Sequence, residues 1–120
     1  MKIAVSSSGK SLDSALDPRF GRAKYFVIVD PETMHFDVVE NRQNFNLPQG
    51  AGIQAGMTIA DHKVDALITG HCGPKAFKVL QSAGIQIITG ASGKVADVIA
   101  QYKSGGLEAV SEPDVEGHWV

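Results

Sequence analysis

The sequence predicts an α/β protein with one mixed five-stranded sheet, strand order 3-2-1-4-5, and about three helices. The apolar runs of the first 40 residues are short and rich in β-branched side chains, which is typical of strands. After residue 50, segments with helical spacing of apolar residues alternate with short apolar runs. The last two strands are therefore joined through helices, and such crossovers make parallel neighbours.

The first 40 residues are predicted to contain three strands. MKIAVSSS starts the first strand, because Ile3, Ala4 and Val5 are consecutive and apolar. A long loop, GKSLDSALDPRFGR, follows. KYFVIVD (24–30) and MHFDVVE (34–40) are the second and third strands, and they form a hairpin because the DPET turn between them has Pro31 in its second position.

The segment after Gly50 is predicted to be the first helix. In AGIQAGMTIADHK, Ile53, Met57 and Ile59 recur near helical spacing, so Met57 is assigned to the core rather than to a thioether ligand. VDALITG (64–70) and IQIITG (85–90) are predicted as short buried strands.

Two further helices are bounded by recognisable end signals. PKAFKVLQSAG has Pro74 in its first turn and Gly84 past its end. SGKVADVIAQYKSGG has Ser92 as the predicted N-cap and Gly105 as the stop. The chain of 120 residues is expected to be a single domain, 1–120, with an acidic tail from about residue 105.

The composition is ordinary for a globular domain, with 43% hydrophobic and 20% charged residues. The sequence has no apolar run near the roughly 20 residues that cross a bilayer. The single cysteine excludes an internal disulfide and a zinc site built from several thiolates of this chain. A reducing cytoplasm is the expected location.

Charge is distributed unevenly along the chain. Residues 105–120 contain four acidic side chains and no Lys or Arg, so the remainder carries a small net positive charge. The predicted topology brings residues 7–22, 41–52, 70–74 and 89–93 to the carboxyl ends of the parallel strands, where open α/β sheets bind ligands. The charged side chains at this edge are Lys10, Arg19, Arg22, Arg42, Lys75 and Lys94, against Asp13 and Asp17.

Three helix starts point to the same edge, preceded by QGAG, HCGP and GASG. Unpaired N–H groups at helix starts attract anions, and glycine permits close approach. Neither nucleotide-binding pattern, G-x-x-x-x-G-K-[ST] or G-x-G-x-x-G, is present. The edge is therefore predicted to be an electropositive anion site.

Five segments together resemble the nitrogenase iron–molybdenum-cofactor-binding family, to about residue 110. They are MKIAVSSSG, LDPRFGRAKYFVIVD, GAGIQAG, VDALITGHCGPKAFKVLQSAGIQII and VADVIAQYKSGGLEAV. The resemblance implies a ribonuclease-H-like three-layer fold. The chain length and the HCGP segment are most similar to members that bind an anionic molybdenum–copper sulfide cluster non-covalently. The resemblance thus implies a carrier, storage or assembly protein for such a cluster.

Specific residues are expected to hold this cluster, and Cys72 is expected to add a metal contact because Cu(I) favours thiolate. The alternatives are a Cys72 that is a small buried hydrophobe, arginines that pair with Asp13 and Asp17, and a Phe20 that fills the core. The expected cofactor-binding residues are Ser8, Lys10, Arg19, Phe20, Arg22, Gly50, Gly52, His71, Gly73, Pro74, Lys75, Gly90 and Ser92.

Two other classes of function remain open on the sequence. A small phosphate-ligand or regulatory module would use the same N–H groups. A nuclease would need clustered carboxylates for divalent cations, and the first strand contains none. No Ser/His/Asp or Cys/His/Asp set has convincing spacing, so the protein is expected not to be an enzyme. It is also expected to be a monomer with no nucleic-acid or membrane partner.

Overall fold

The computed structural model describes residues 1–41 and 50–111. Every predicted element is present, and the sheet has the predicted order β3-β2-β1-β4-β5. The prediction of a mixed α/β fold is confirmed. The elements are β1 (Ile3–Ser7), β2 (Tyr25–Val29), β3 (Phe36–Glu40), α1 (Ala51–Asp61), β4 (Ala66–Ile68), α2 (Pro74–Ser82), β5 (Gln86–Ile88) and α3 (Val95–Lys103).

The register of the sheet decides which loops meet. β2 is antiparallel to both β1 and β3, whereas β1, β4 and β5 are parallel, with Val5, Ile68 and Ile88 in line. The loops that follow β1, β4 and β5 therefore leave from one edge, which we call the carboxyl edge. The start of β2 lies at the same edge, because Tyr25 pairs with Ser7.

Helices cover both faces of the sheet and make three layers. On one side, the α1/α2 face, helix residues such as Ile59 and Leu80 pack with Phe26 and Leu67 of the sheet. On the other side, the α3 face, the core contains the β-branched side chains of β1 and β2 together with residues of α3. The alternation of apolar side chains along β1 serves both layers, since successive residues of a strand point to opposite faces.

Helix α1 packs through small residues, and this overturns the prediction for Met57. Its buried side chiefly comprises alanines and glycines with Ile59 as the large member. A Cβ at Gly56 would lie 3.1 Å from a methyl carbon of Val79, so the two helices approach closely there. Met57 lies outside this contact and is 56% exposed. The assignment of Met57 to the core is wrong because the helix buries its small side, not its longest side chain.

The helix ends agree with the sequence signals in all but one case. Pro74 is in the first turn of α2, and Gly84 and Gly105 follow their helices with φ of +77° and +82°, a conformation that glycine adopts easily. The prediction of Ser92 as N-cap is wrong. Lys94 is the N-cap of α3, and no side chain caps that helix.

The segment after α3 crosses the outer edge of β5. Leu107 packs against the α3 face and Val110 against the α1/α2 face. The Val110 N–H donates to the Ile87 carbonyl at 2.8 Å. Residues 112–120, most of the predicted acidic tail, lie outside the described residues, as does Arg42. Across residues 1–41 and 50–111, the helices are too short or too polar to span a bilayer.

Candidate functional site

The loop that follows β1, residues 8–24, is bonded to both neighbouring loops of the carboxyl edge. On one side the His71 N–H donates to the Pro18 carbonyl at 2.7 Å, and the Phe20 N–H donates to the His71 carbonyl at 3.3 Å. On the other side the Leu16 N–H donates to the Gly93 carbonyl at 2.8 Å. The three loops therefore form one connected rim instead of three independent turns.

Gly70 is required for this connection. A Cβ at position 70 would lie 2.6 Å from Pro18 Cα and 2.8 Å from its carbonyl oxygen. These contacts are with backbone atoms, which cannot turn away as the end of a flexible side chain could. The geometry of the His71–Pro18 pairing thus depends on the absence of a side chain at Gly70.

Two buried hydroxyl groups support the rim from below. The Ser6 hydroxyl donates to the Asp17 carbonyl at 2.7 Å and lies 2.8 Å from the Thr69 hydroxyl. Because Ser6 has one hydroxyl proton, Thr69 is the donor in the second hydrogen bond. Both side chains are fully buried. They join the ends of β1 and β4 to the loop that carries the arginines.

The segment that presents Arg19 and Arg22 is held by its other members. Phe20 is fully buried, and its ring centroid lies 5.3 Å from that of Phe26. The side-chain amide of Asn41 donates from Nδ2 to the carbonyls of Gly21, at 3.2 Å, and Ala23, at 2.8 Å. Phe20 has no surface to offer a ligand, so its place in the expected binding set is not supported. Its ring fills the core, which was the alternative considered for Phe20, and it anchors the segment that carries the two exposed arginines.

The charges at this edge are only partly neutralised. Arg19 Nε lies 3.7 Å from Asp17 Oδ1, which also accepts the Arg19 N–H at 3.0 Å. The Arg19 side chain remains 56% exposed. Because an exposed ion pair is weak, the pairing with Asp17 reduces the attraction of Arg19 for anions only slightly. Lys10 is exposed, with Nζ 5.4 Å from the centroid of the Tyr25 ring, which keeps this cation at the edge.

The chain itself closes one of the three predicted helix starts, that of α3, to a ligand. No side chain caps α1, α2 or α3. At α3, however, the N–H groups of Val95 and Ala96 donate to the carbonyls of Ser14 and Leu12. The loop thus occupies that helix start. The starts of α1 and α2 lie on the α1/α2 face, where the segment around Phe20 also packs.

Cys72 lies beneath this surface. Its side chain is 1% exposed and belongs to the core on the α1/α2 face, and its thiol is 3.8 Å from the Gly73 carbonyl oxygen. This placement matches a small buried hydrophobe and offers no open thiolate to a metal. The neighbouring His71 is half-buried, and its backbone is paired with the segment around Pro18.

The structure divides the predicted site residues other than Lys10 into two groups. Gly90 and Ser92 flank Ala91, which packs into the α3 face, and Ser8 donates to the Ala15 carbonyl at 3.0 Å on the loop. These three lie away from the starts of α1 and α2. The group that lies on the α1/α2 side comprises Arg19, Arg22, Gly50, Gly52, His71, Gly73, Pro74 and Lys75, with Phe20 and Cys72 in the core below.

Four residues that organise this edge were not among the predicted site residues: Ser6, Asn41, Thr69 and Gly70. A signal existed for Ser6 and Thr69, since each is a hydroxyl residue directly following a run of apolar strand residues. Gly70 has no such signal, because the need for glycine arises from Pro18, which is distant in sequence.

Within residues 1–41 and 50–111, no three His, Cys, Asp or Glu side chains gather closely enough to hold a metal ion. The groups present are cationic side chains and two uncapped helix starts. They suit an anion held by charge and hydrogen bonds.

The fold and the sequence of this chain are similar to those of several known proteins. The apo orange protein of Desulfovibrio gigas is 37% identical, with a TM-score of 0.86 over 95% of this chain and 96% of that one. A candidate NifB protein of Thermotoga is 28% identical, with a TM-score of 0.74 over 95% and 98%. An uncharacterized protein of Methanocaldococcus jannaschii is 31% identical over 90% of each chain. The family model for the dinitrogenase iron-molybdenum cofactor matches residues 1–105, so the chain belongs to that family.

Proposed function

We propose that the protein binds an anionic molybdenum–copper sulfide cluster non-covalently at the carboxyl edge, on its α1/α2 side. It would act as a carrier, storage or assembly protein and not as an enzyme. One observation carries the proposal: two uncapped helix starts lie on the same edge and face as the loop that exposes Arg19 and Arg22. Family membership and the similarity to orange protein support a metal cluster as the anion.

The residues of this edge have distinct roles in the proposal. Arg19, Arg22 and Lys75 are exposed cations that attract the cluster and donate to its sulfides. The first turn of α2 adds backbone N–H groups without intrahelical partners, next to Gly73, which has no side chain. The sulfides of the cluster complete the coordination of its metals. An exposed thiolate is therefore unnecessary, which agrees with the burial of Cys72.

Uptake of a preformed cluster tests the proposal. The purified protein is mixed with a thiomolybdate–copper cluster and separated by gel filtration, and molybdenum, copper and visible absorption are measured in the protein fraction. Each of Arg22→Gln and Lys75→Gln should weaken binding about fivefold, the equivalent of about 1 kcal/mol for one exposed charge. Lys103→Gln is the matched control, because it removes a lysine at the far end of α3.

Two results would count against the proposal. A protein that leaves the column colourless and free of both metals does not bind the cluster. If uptake is equally strong in all three variants and at high salt, these charges do not hold the cluster, because salt screens the interactions of exposed charges. Calorimetry with inorganic phosphate and nucleotides examines the alternative. Nucleotide binding at micromolar concentration without cluster uptake would favour a phosphate-ligand module, because the start of α2 suits phosphate as well.

A further inference from the structure

Strand β3 is an edge strand, and two of its residues turn their backbone groups away from the sheet. The Asn41 N–H donates to the Lys24 carbonyl at 2.9 Å, which identifies the odd-numbered residues of this strand as those that bond to β2. The N–H and C=O groups of Phe36 and Val38 therefore point outward. In the part of the chain that the structure describes, no hydrogen bond reaches them.

The usual devices that protect an edge strand do not occur along β3. Its pairing with β2 is continuous from Phe36 to Glu40, so the strand has no bulge there. These five residues include no proline, lysine or arginine. An unprotected edge is a template for a further strand.

The two faces of β3 differ in chemistry. Phe36 and Val38 pair with valines of β2 that belong to the core on the α3 face, so their side chains lie on that face. Phe36 is 40% exposed and Val38 is half-buried, so both have apolar surface left to cover. Asp37 lies on the opposite face and is exposed. An added strand complements β3 if it has β-branched residues on the α3 face and a cation on the side of Asp37.

An open cavity of about 640 Å³ adjoins the start of β3. Met1, Met34 and Phe36 contribute apolar surface to it, and Asp30 and Asp37 are its acidic members. A lysine or arginine side chain combines an apolar stem with a cationic head, so it suits a cavity of this composition. In strand addition, backbone hydrogen bonds provide affinity and such side-chain pockets provide specificity.

The charges around the cavity favour a basic partner over a second copy of this chain. Lys2 also lines the cavity, and its N–H donates to Asp65 Oδ2 at 2.8 Å, which brings a third carboxylate near one lysine. A second β3 strand would add its own Asp37 and Glu40 without a cation. A basic segment instead neutralises the charge that is already there.

We propose that the outer edge of β3 binds an extended segment of a partner protein as a sixth, antiparallel strand of the sheet. In that segment β-branched residues alternate with lysine or arginine. The β-branched residues pair with Phe36 and Val38, the basic residues lie on the side of Asp37, and one basic side chain enters the cavity. This surface shares no residue with the proposed cluster site, and the proposal holds whether or not a cluster binds.

A short capped peptide of alternating valine and lysine is the probe for this edge. The full chain, without added cluster, is titrated with the peptide, and amide hydrogen exchange is followed by NMR. Exchange at Phe36 and Val38 should slow at least about tenfold at saturation, because both N–H groups gain acceptors. Exchange in α3 should not change.

N-methylation of the peptide separates strand addition from attraction between charges. In the antiparallel pairing, valines of the peptide lie opposite Phe36 and Val38 and exchange hydrogen bonds with them. Methylation of the valine nitrogens should therefore weaken binding at least about tenfold. Methylation of the lysine nitrogens should leave the affinity unchanged, because those N–H groups point away from the protein. A peptide with glutamate in place of lysine is the charge control and should bind at least about tenfold more weakly.

Two variants examine the protein side of the contact. Val38→Pro removes an outward N–H, which an edge strand tolerates, and should weaken peptide binding at least about tenfold. Asp37→Asn removes a carboxylate common to the edge and the cavity and should weaken binding about threefold. Glu108→Gln is the matched control, because it removes an exposed carboxylate in the segment that crosses the outer edge of β5. Circular dichroism establishes that each variant is folded, and the methylated peptides test the same pairing without a substitution.

Three results would overturn the proposal. Unchanged exchange at Phe36 and Val38 with about 1 mM peptide means that no strand is added. Equal affinity of the two methylated peptides means that charge alone holds the peptide. Sedimentation that shows a dimer of the protein without peptide, and a monomer for Val38→Pro, assigns the edge to a second copy of the chain. All readings are taken without cluster, so a failure of cluster uptake leaves them unchanged.

Discussion

Replacing Gly70 with alanine tests the structural basis of the carboxyl edge most directly. The added Cβ would lie 2.6 Å from Pro18 Cα and 2.8 Å from the Pro18 carbonyl oxygen, so one of the two backbone segments must move. Overpacking of this kind costs about 1–3 kcal/mol. The movement also strains the hydrogen bonds from His71 to Pro18 and from Phe20 to His71, each worth about 1 kcal/mol.

We therefore expect Gly70→Ala to lower the free energy of unfolding by about 2–4 kcal/mol, a large part of the roughly 5–15 kcal/mol of a typical domain. Urea denaturation followed by circular dichroism measures this. The free energy of unfolding falls by about 2 kcal/mol per M of urea, so a loss of about 3 kcal/mol in stability lowers the urea midpoint by about 1.5 M.

Gly106→Ala is the matched control for this substitution. Its Cβ would lie 3.4 Å from the Gln101 carbonyl oxygen, an ordinary contact, so the stability should change by no more than about 0.5 kcal/mol. If Gly70→Ala is as stable as the parent protein within the same margin, the two backbone segments are not as close as described, and the account of a connected rim is wrong.

Three other predictions concern the groups that support this edge. Ser6→Ala should lower the free energy of unfolding by about 1–3 kcal/mol, because the buried Thr69 hydroxyl loses its acceptor and the Asp17 carbonyl its donor; an unchanged urea midpoint would contradict this. Asn41→Ala removes two hydrogen bonds to the arginine-bearing loop, so amide hydrogen exchange over residues 19–23 should accelerate while that of β4 is unchanged. Equal acceleration in both places would show a global loss of stability instead. The buried thiol of Cys72 should react with a thiol reagent at least about 100-fold more slowly in the native protein than in denaturant, and rapid native labelling would reveal an accessible thiolate.

The order and type of the elements could be predicted because they depend on local patterns. Strands β1, β2 and β3 are marked by β-branched runs and a proline turn, and α2 by Pro74 and Gly84. The crossovers through helices then left few ways to arrange the sheet. The positions of individual side chains were less predictable. Met57 has the spacing of a core residue, yet the close approach of Gly56 to Val79 turns it outward.

The residues of the candidate site show the same division. Their arrival at one edge follows from topology, and Arg19, Arg22 and Lys75 could be named for that reason. Whether a helix start is open depends on contacts between distant segments. The start of α3 is occupied by the carbonyls of Leu12 and Ser14, which no pattern near residue 94 reveals.

The sequence by itself determined the layers, the strand order and the edge at which cationic loops gather, because hydrophobic periodicity and chain connectivity act locally or through simple topological rules. Only the tertiary structure decided that Cys72 faces the core, that Phe20 is an anchor, and that Gly70 must lack a side chain. Each of these depends on which atoms from distant parts of the chain come within van der Waals distance. Packing at that scale is a property of the assembled fold and not of any one segment.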